Sequence, residues 1–227
     1  MVTRVLVALD VPALEEAEGL ARRLGETVDG FKVGMELLMA SGPAAIEVIA
    51  AIGKPVFADA KLHDIPNTVG RAATRIKAAG ARWLTVHASG GREMIAAATT
   101  GMGGQGVLGV TMLTSLSESD LGDIGVEVSP TSYVRDMAGL SFRAGAEGVV
   151  CSPREIAIVK RAHPGLKVFS PGIRPEGSAN HDQKRVATPE RAVSDGADYL
   201  VIGRPITRSD DPVGAARRIT ASLGRAG

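Results

Sequence analysis

Residues 54–68 have the sequence KPVFADAKLHDIPNT, a short apolar run followed by three charges within six residues. The apolar run is typical of a buried strand of an α/β sheet, because it is bounded by Gly53 and by a proline-containing turn. Side chains two apart on a strand face the same side, so Asp59 and Lys61 are predicted to project together from its carboxyl end. Because α/β folds place their chemistry at that end, the stretch predicts a strand and a candidate site.

Asp64 follows this strand and precedes an amphipathic run at residues 67–79, which predicts a helix. It lies where a helix N-cap is expected, so one interpretation is a capping aspartate beside an ordinary Asp59–Lys61 ion pair. The alternative is an array of catalytic charges, since buried charges at a strand end are costly unless they have a task. Spacing alone leaves both interpretations open.

The alternation of short apolar runs and helical patterns continues along the chain. Besides the opening stretch, the predicted strands are residues 4–9, 30–34, 82–87, 107–113, 148–151, 167–170 and 199–202. The predicted helices are residues 13–24, 44–52, 67–79, 94–99, 131–144, 153–162, 189–195 and 212–223, with a polar connection at 115–129. Eight strand–helix repeats without a GxGxxG fingerprint in place predict an α/β protein, a (β/α)8 TIM barrel with a single domain over residues 1–227.

Composition limits the classes of function. A chain of 227 residues with 44% hydrophobic content can bury one substantial core. The formal net charge of +1 arises from 26 basic and 25 acidic side chains spread along the chain, which predicts no binding to nucleic acid or to a membrane surface. The first apolar run, residues 5–9, is too short for a signal peptide or a membrane span, so a cytoplasmic location is predicted.

Cysteine and histidine usage argues against a metal site. Cys151 is the only cysteine, which excludes an intrachain disulfide and a multi-cysteine zinc site. It follows an apolar run, and this favours a small buried side chain over a nucleophile. The four histidines show no HExxH or other close metal-ligand spacing, so no metal is predicted.

Polar residues stand at the predicted carboxyl ends of the strands, which meet at one mouth in a barrel. They include Asp10, Lys32, Asp59, Lys61, Thr114, Arg174 and Arg204. Gly172, Gly203 and Arg204 predict a phosphate site, because barrels often bind phosphate after strands seven and eight; simple turn glycines are the alternative. The polar loop at residues 175–185 is either a lid over that site or a solvated surface loop.

Six motifs resemble those of the orotidine 5'-monophosphate decarboxylase family in its bacterial form, and they occur in the family's order. They are VALD at 7–10, FKVGME at 31–36, DAKLHDIPNT at 59–68, LTS at 113–115, PGIR at 171–174 and VIGR at 201–204. Related barrels that decarboxylate or epimerise sugar phosphates share the Asp-x-Lys-x-x-Asp spacing. The HDIP and PGIR segments are what narrow the resemblance to this family.

The resemblance implies decarboxylation of orotidine 5'-monophosphate to uridine 5'-monophosphate in pyrimidine biosynthesis, without a metal or another cofactor. It implies that Lys32, Asp59, Lys61 and Asp64 are catalytic, with Lys61 protonating the ring carbon. The implied substrate contacts are Asp10, Lys32, Ile65, Thr68, Thr114, Pro171, Arg174, Gln183, Gly203 and Arg204. Asp64 and Thr68 are expected to reach the neighbouring subunit's site, which implies a homodimer with shared active sites.

Two rival functions remain. One is a metal-dependent sugar-phosphate decarboxylase or epimerase of the same barrel group. The other is a barrel that binds a phosphorylated ligand but has lost activity. The complete set of Lys32, Asp59, Lys61 and Asp64 argues against the inactive barrel.

Overall fold

A computed structural model of the chain describes residues 3–175 and 186–223. Within them, eight strands pair in chain order and close into a barrel, with β1 beside β8 and every pairing parallel. The strands are β1 (Arg4–Ala8), β2 (Gly30–Val33), β3 (Val56–Leu62), β4 (Trp83–His87), β5 (Val107–Val110), β6 (Gly148–Val150), β7 (Lys167–Ser170) and β8 (Tyr199–Ile202). The predicted (β/α)8 TIM barrel is confirmed.

Helices follow the strands along the described chain. They are α1 (Leu14–Leu24), α2 (Met35–Ser41), α3 (Ala44–Ala50), α4 (Pro66–Ala78), α5 (Arg92–Gly101), α6 (Glu118–Asp123), α7 (Pro130–Arg143), α8 (Ile156–Ala162), α9 (Pro189–Ser194), α10 (Arg204–Thr207) and α11 (Pro212–Ser222). Short 3-10 turns occur at Ala88–Gly90 and Pro153–Glu155. In the described part of the chain, we find no helix with the length and apolar character needed to span a bilayer.

Three helices were not predicted, and each is short. In α2 the side chains of Leu37 and Leu38 are buried while Met35 and Met39 are exposed, so the apolar residues trace no single face. Helix α6 lies in the connection predicted to be merely polar. A capping box stabilises its start, with Asp120 accepting from the backbone N–H of Ser117. Helix α10 has four residues, too few for a periodic pattern.

The barrel interior is filled by aromatic side chains from β3, β4, β7 and β8. Phe169 and Tyr199 stack with ring centroids 4.1 Å apart, and Trp83 meets both rings edge-on at 5.2 and 5.0 Å. Phe57 contacts Phe169 in the same T-shaped way. Because these rings close the interior, polar residues nearer the carboxyl ends of the strands are left to form the mouth.

A second apolar layer lies between the barrel and its surrounding helices. Helix α1 shows how it is built, because Ala17, Leu20, Ala21 and Leu24 recur at helical spacing and are all buried. Cys151 belongs to this layer and is 1% exposed, which confirms the predicted buried side chain.

Candidate active site

Four charged side chains form a row across the ends of β1, β2 and β3. Lys32 lies on β2 with its Nζ 2.8 Å from Asp10 Oδ1 and 3.4 Å from Asp59 Oδ2. On β3, Lys61 Nζ lies 2.8 Å from the same Asp59 oxygen. The signs alternate along Asp10, Lys32, Asp59 and Lys61, so each inner charge has an opposite charge on both sides.

The two inner charges remain ionised although both are buried. Burial opposes the charge of Asp59, but the attraction of Lys32 and Lys61 outweighs it and holds the pKa of Asp59 below its ordinary value. Burial likewise opposes the charge of Lys32, while Asp59 and Asp10 raise its pKa above the ordinary value. The charges of Lys32 and Asp59 therefore stabilise each other despite their burial.

Strand β3 brings Asp59 and Lys61 together in a different way from the predicted alternation. The pairing of β3 with β4 shifts register between Ala58 and Leu62. Lys61 has φ 48°, and it is the single non-glycine residue in the described chain with a positive φ. The predicted ion pair is confirmed, but a local irregularity and not simple strand geometry aims the ammonium at Asp59.

Gly34 leaves the space in which the Asp10–Lys32 pair forms. Its φ of −86° and ψ of 176° are open to any residue, so backbone freedom does not explain the glycine. A Cβ at this position would meet the Asp10 carboxylate and lie 2.9 Å from Lys32 Nζ. The glycine in the FKVGME motif is therefore required by the side chains that face it.

A cavity of about 300 Å³ opens beside Asp10, at the carboxyl ends of β7 and β8. Its lining includes Asp10, Glu36, Arg174, Gly203, Arg204 and Arg208. Arg174 is 7% exposed, and its Nη1 donates to the carbonyl oxygen of Ile173. Three guanidinium groups around one cavity form a setting suited to a phosphate or another anion.

The residues after β3 do not join the row of charges. Asp64 is exposed, and in the described structure its carboxylate accepts from the backbone N–H of Ile65. Of the two interpretations left open for Asp64, the helix cap does not hold, because Ile65 occupies the N-cap of α4 and Pro66 follows at the first helical position. Ile65 is 65% exposed, and Thr68 is exposed one turn further along.

Two of the remaining predicted substrate contacts, Thr114 and Pro171, follow strands β5 and β7. Thr114 is half-buried in the loop after β5. Pro171 directly follows β7, beside Gly172, whose φ of 77° favours glycine. Gln183 and most of the loop at 175–185 lie outside the described residues.

Comparison with known proteins identifies the family. The model of the orotidine 5'-phosphate decarboxylase / HUMPS family matches residues 3–219. The chain belongs to this family. An orotidine 5'-phosphate decarboxylase from Anaeromyxobacter sp. (strain K) is 50% identical over 222 residues, which cover 97% of this chain and 98% of that protein.

Further family members show the same agreement. The orotidine 5'-phosphate decarboxylase of Erythrobacter litoralis is 49% identical over 96% of this chain and 98% of its own length. A crystal structure of orotidine 5'-phosphate decarboxylase from Lactobacillus acidophilus superposes with a TM-score of 0.86 at 33% identity, covering 98% of this chain and 100% of that one. The family likeness therefore extends through both sequence and fold.

The structure adds three residues near Asp59 and Lys61 that were not among the predicted site residues. Thr85 on β4 is fully buried and hydrogen-bonds both Asp59 and Lys61. His63 and His87 place their rings 5.5 Å apart, and burial, followed by the charges of His63 and Lys61, lowers the pKa of His87. The sequence did contain a signal for Thr85 and His87. Alternate residues of a strand face the same side, so Trp83, Thr85 and His87 all point into the barrel from β4.

Two residues of the arginine-lined cavity were also missed as site residues. Arg208 follows Arg204 by four positions, one helical turn, and this spacing was a usable signal. Glu36 belongs to the FKVGME motif but had been given no role. Among the described residues, no group of three His, Cys, Asp or Glu side chains is arranged to hold a metal ion.

Proposed function

We propose that this chain decarboxylates orotidine 5'-monophosphate to uridine 5'-monophosphate, a step of pyrimidine biosynthesis, in the cytoplasm and without a cofactor. Membership of the family and the names of its close relatives support the reaction. The observation that carries the proposal is the row of alternating acidic and basic side chains ending at Lys61, beside a cavity lined by arginines. The row ending at Lys61 suits a developing carbanion, and the arginine-lined cavity suits a nucleotide phosphate.

The row of charges suits the chemistry of decarboxylation. Loss of carbon dioxide leaves an electron pair on the pyrimidine ring carbon that the ring delocalises poorly. With no cofactor to accept the electrons, the protein has to stabilise that charge electrostatically. We assign this role to the Lys61 ammonium, which then delivers a proton to the carbon, while Lys32 and Asp59 hold the charge in place.

Repulsion between Asp59 and the substrate carboxylate would contribute a smaller part. Two unit charges about 4 Å apart repel by about 4 kcal/mol at an effective dielectric constant of about 20. Enzymes lower reaction barriers by about 8–23 kcal/mol, so this repulsion alone is insufficient for a slow reaction. Most of the effect is therefore assigned to Lys61 and to binding energy from the distant phosphate.

The rest of the nucleotide is assigned to the neighbouring groups. We place the ribose hydroxyls at Asp10 and Lys32, and the pyrimidine near Thr114 and Pro171. The phosphate is assigned to the arginine-lined cavity, with Arg174, Gly203 and Arg204 as its ligands and Gln183 joining from outside the described residues. Phosphate sites after strands seven and eight are frequent in TIM barrels, which supports this orientation.

We further propose a homodimer in which Asp64, Ile65 and Thr68 complete the partner's site. Asp64 carries its charge at the surface and makes no contact with Lys61 among the described residues. The next residue in the chain, Ile65, contributes exposed apolar surface at the start of α4, because it is 65% exposed. An exposed carboxylate beside exposed apolar surface suits a subunit interface.

The reaction is tested by following loss of orotidine 5'-monophosphate absorbance with excess chelator present. The proposal expects full turnover under these conditions. Activity that appears only after a divalent metal and a sugar phosphate are supplied would favour the rival metal-dependent enzyme. Binding of the nucleotide without turnover would favour an inactive phosphate-binding barrel.

The shared site is tested by mixing two inactive variants, Lys61→Ala and Asp64→Asn. If Asp64 acts in the partner's site, each heterodimer has one site with both lesions and one intact site. A random equal mixture is half heterodimer, so about a quarter of wild-type activity per site should return after co-refolding. A mixture that exchanges subunits yet stays inactive would place Asp64 in its own chain's site.

A further inference from the structure

The conformation of Lys61 needs an external support. Its φ of 48° lies in the left-handed region, which is strained for a residue other than glycine. Such conformations persist when the surrounding structure fixes them. The adjacent register shift of β3 against β4 removes part of the regular backbone pairing that would otherwise hold this segment.

Thr85 supplies that support through one hydroxyl group. Its Oγ1 accepts from the backbone N–H of Lys61 at 2.9 Å and donates to Asp59 Oδ1 at 2.9 Å. The other oxygen of Asp59 accepts from Lys61 Nζ at 2.8 Å. A closed ring of hydrogen bonds therefore runs from the Lys61 backbone through Thr85 and Asp59 to the Lys61 ammonium.

A hydroxyl is well suited to this position because it donates and accepts at once. Thr85 is 0% exposed and lies on the inner face of β4, above Trp83. A valine there would have the same shape and would suit the apolar surroundings, but it would leave the Lys61 N–H and one Asp59 oxygen without this partner. A buried polar group that lacks a hydrogen-bond partner lowers stability, so the Thr85 hydroxyl is needed to satisfy the Lys61 N–H and the Asp59 oxygen.

We propose that Thr85 is a positioning residue, which sets the backbone conformation of Lys61 and the orientation of Asp59 so that the Lys61 ammonium is aimed at the reacting carbon. This inference rests on the proposed decarboxylation. Thr85 itself is not assigned any contact with the substrate. Its effect on catalysis is exerted through Lys61 and Asp59.

The test compares Thr85→Val with Thr85→Ser, using Thr3→Val as the matched control. Thr3 is also a buried threonine with one hydroxyl hydrogen bond, to the Ala197 carbonyl oxygen, at the opposite end of the barrel. Thr85→Val should lower kcat roughly 10–100-fold, since misplacing a reacting group by about 1 Å costs up to about 100-fold. KM should change little, because the phosphate cavity lies at β7 and β8.

Thr85→Ser should keep kcat within about threefold of wild type, because serine retains the donor and the acceptor. Thr3→Val should keep wild-type kcat. Wild-type kcat in Thr85→Val, equal losses in the serine and valine variants, or an equal loss in Thr3→Val would overturn the assignment. Should the valine variant not fold, Thr85→Ala replaces it, because alanine only removes atoms.

Crystal structures of the Thr85 variants separate this inference from the proposed reaction. Thr85→Val should move Lys61 out of the left-handed region or lengthen its Nζ–Asp59 distance, and Thr85→Ser should do neither. An unchanged Lys61 in the valine variant would reject the positioning role even if catalysis falls. Failure of the wild-type protein to decarboxylate the nucleotide would reject the proposed function, while the structures would still decide what Thr85 holds.

Discussion

The two ends of the barrel each carry a carboxylate shared by several cations, but the two networks differ in how completely they are closed. At the mouth, Asp59 accepts from Lys61 and Thr85 and pairs with Lys32. At the amino ends of β4 to β7, Glu147 accepts two bonds from the Arg82 guanidinium at 2.9 Å. It also accepts from Lys167 at 2.9 Å, Trp83 at 3.3 Å and the Gly106 backbone at 2.9 Å.

The carboxylates at the centres of the two networks are equally buried, because the Asp59 and Glu147 side chains are 12% and 13% exposed. At the mouth, the Asp10 side chain is 53% exposed and that of Lys61 28% exposed, so the row remains open to a ligand. The Glu147 side chain is 13% exposed, and both of its oxygens are taken by donors. The network at the mouth differs in ending at an exposed carboxylate, Asp10, that lines a cavity, and we assign that network to binding and the Glu147 network to stability.

Lys61→Ala should give the largest effect and should act on activity alone. Removing the proton donor and its positive charge is expected to lower kcat by more than about 1,000-fold. The fold should persist, because Asp59 keeps Lys32 at 3.4 Å and Thr85 at 2.9 Å. Turnover and urea unfolding measure the two properties. Retention of more than a small fraction of the wild-type rate would remove Lys61 from the role of proton donor.

Gly34→Ala should also damage the mouth without unfolding the barrel. The added Cβ would meet the Asp10 carboxylate and lie 2.9 Å from Lys32 Nζ, so one or both side chains have to shift. We expect kcat/KM to fall roughly 10–100-fold, because the displaced groups are assigned to the ribose.

The matched control for that substitution is Gly19→Ala, within α1. A Cβ at Gly19 meets no atom within 4 Å. The control should keep wild-type activity and gain about 0.5–1 kcal/mol in free energy of unfolding, because alanine is the better helix former. Equal activity in both alanine variants would show that the Asp10–Lys32 pair tolerates the extra carbon.

Glu147→Gln should reverse the pattern, with lost stability and unchanged kcat. Burial opposes the charge of Glu147, but the hydrogen bonds from Arg82 and Lys167 lower its pKa from 4.5 to about 2, which corresponds to about 3 kcal/mol. We expect urea unfolding to show a loss of this order. A tenfold loss of kcat in a folded variant would contradict the assignment of catalysis to the mouth and of stability to the Glu147 network.

The pH dependence of stability gives a second check on Glu147. Because its pKa is lowered in the folded state, its contribution is complete above the unfolded value of 4.5 and is lost as the pH falls towards about 2. The wild-type free energy of unfolding should therefore decrease across that range. The glutamine variant should lack this part of the decrease, and parallel curves for the two proteins would argue against the assignment.

The accuracy of prediction differed between local and long-range features. The strand carrying Asp59 and Lys61 was predictable, because an apolar run bounded by glycine and proline is a local pattern. Helix α2 was missed because Met35 and Met39 remain exposed, and apolar residues on the surface obscure the helical period. Spacing left the role of Asp64 open, and the structure excludes the helix cap because Pro66 takes the first helical position and Ile65 the N-cap.

The sequence by itself determined the alternation of strands and helices, the family, and the charged residues at the strand ends. Hydrophobic period and motif order are properties of neighbouring residues, so they can be read without coordinates. Only the tertiary structure decided the left-handed Lys61, the Thr85 hydroxyl beneath it and the need for glycine at position 34. It likewise joined Glu147 to Arg82, which lies 65 residues away. These contacts exist because closing the barrel brings distant strand ends together, and no local pattern encodes which side chains then meet.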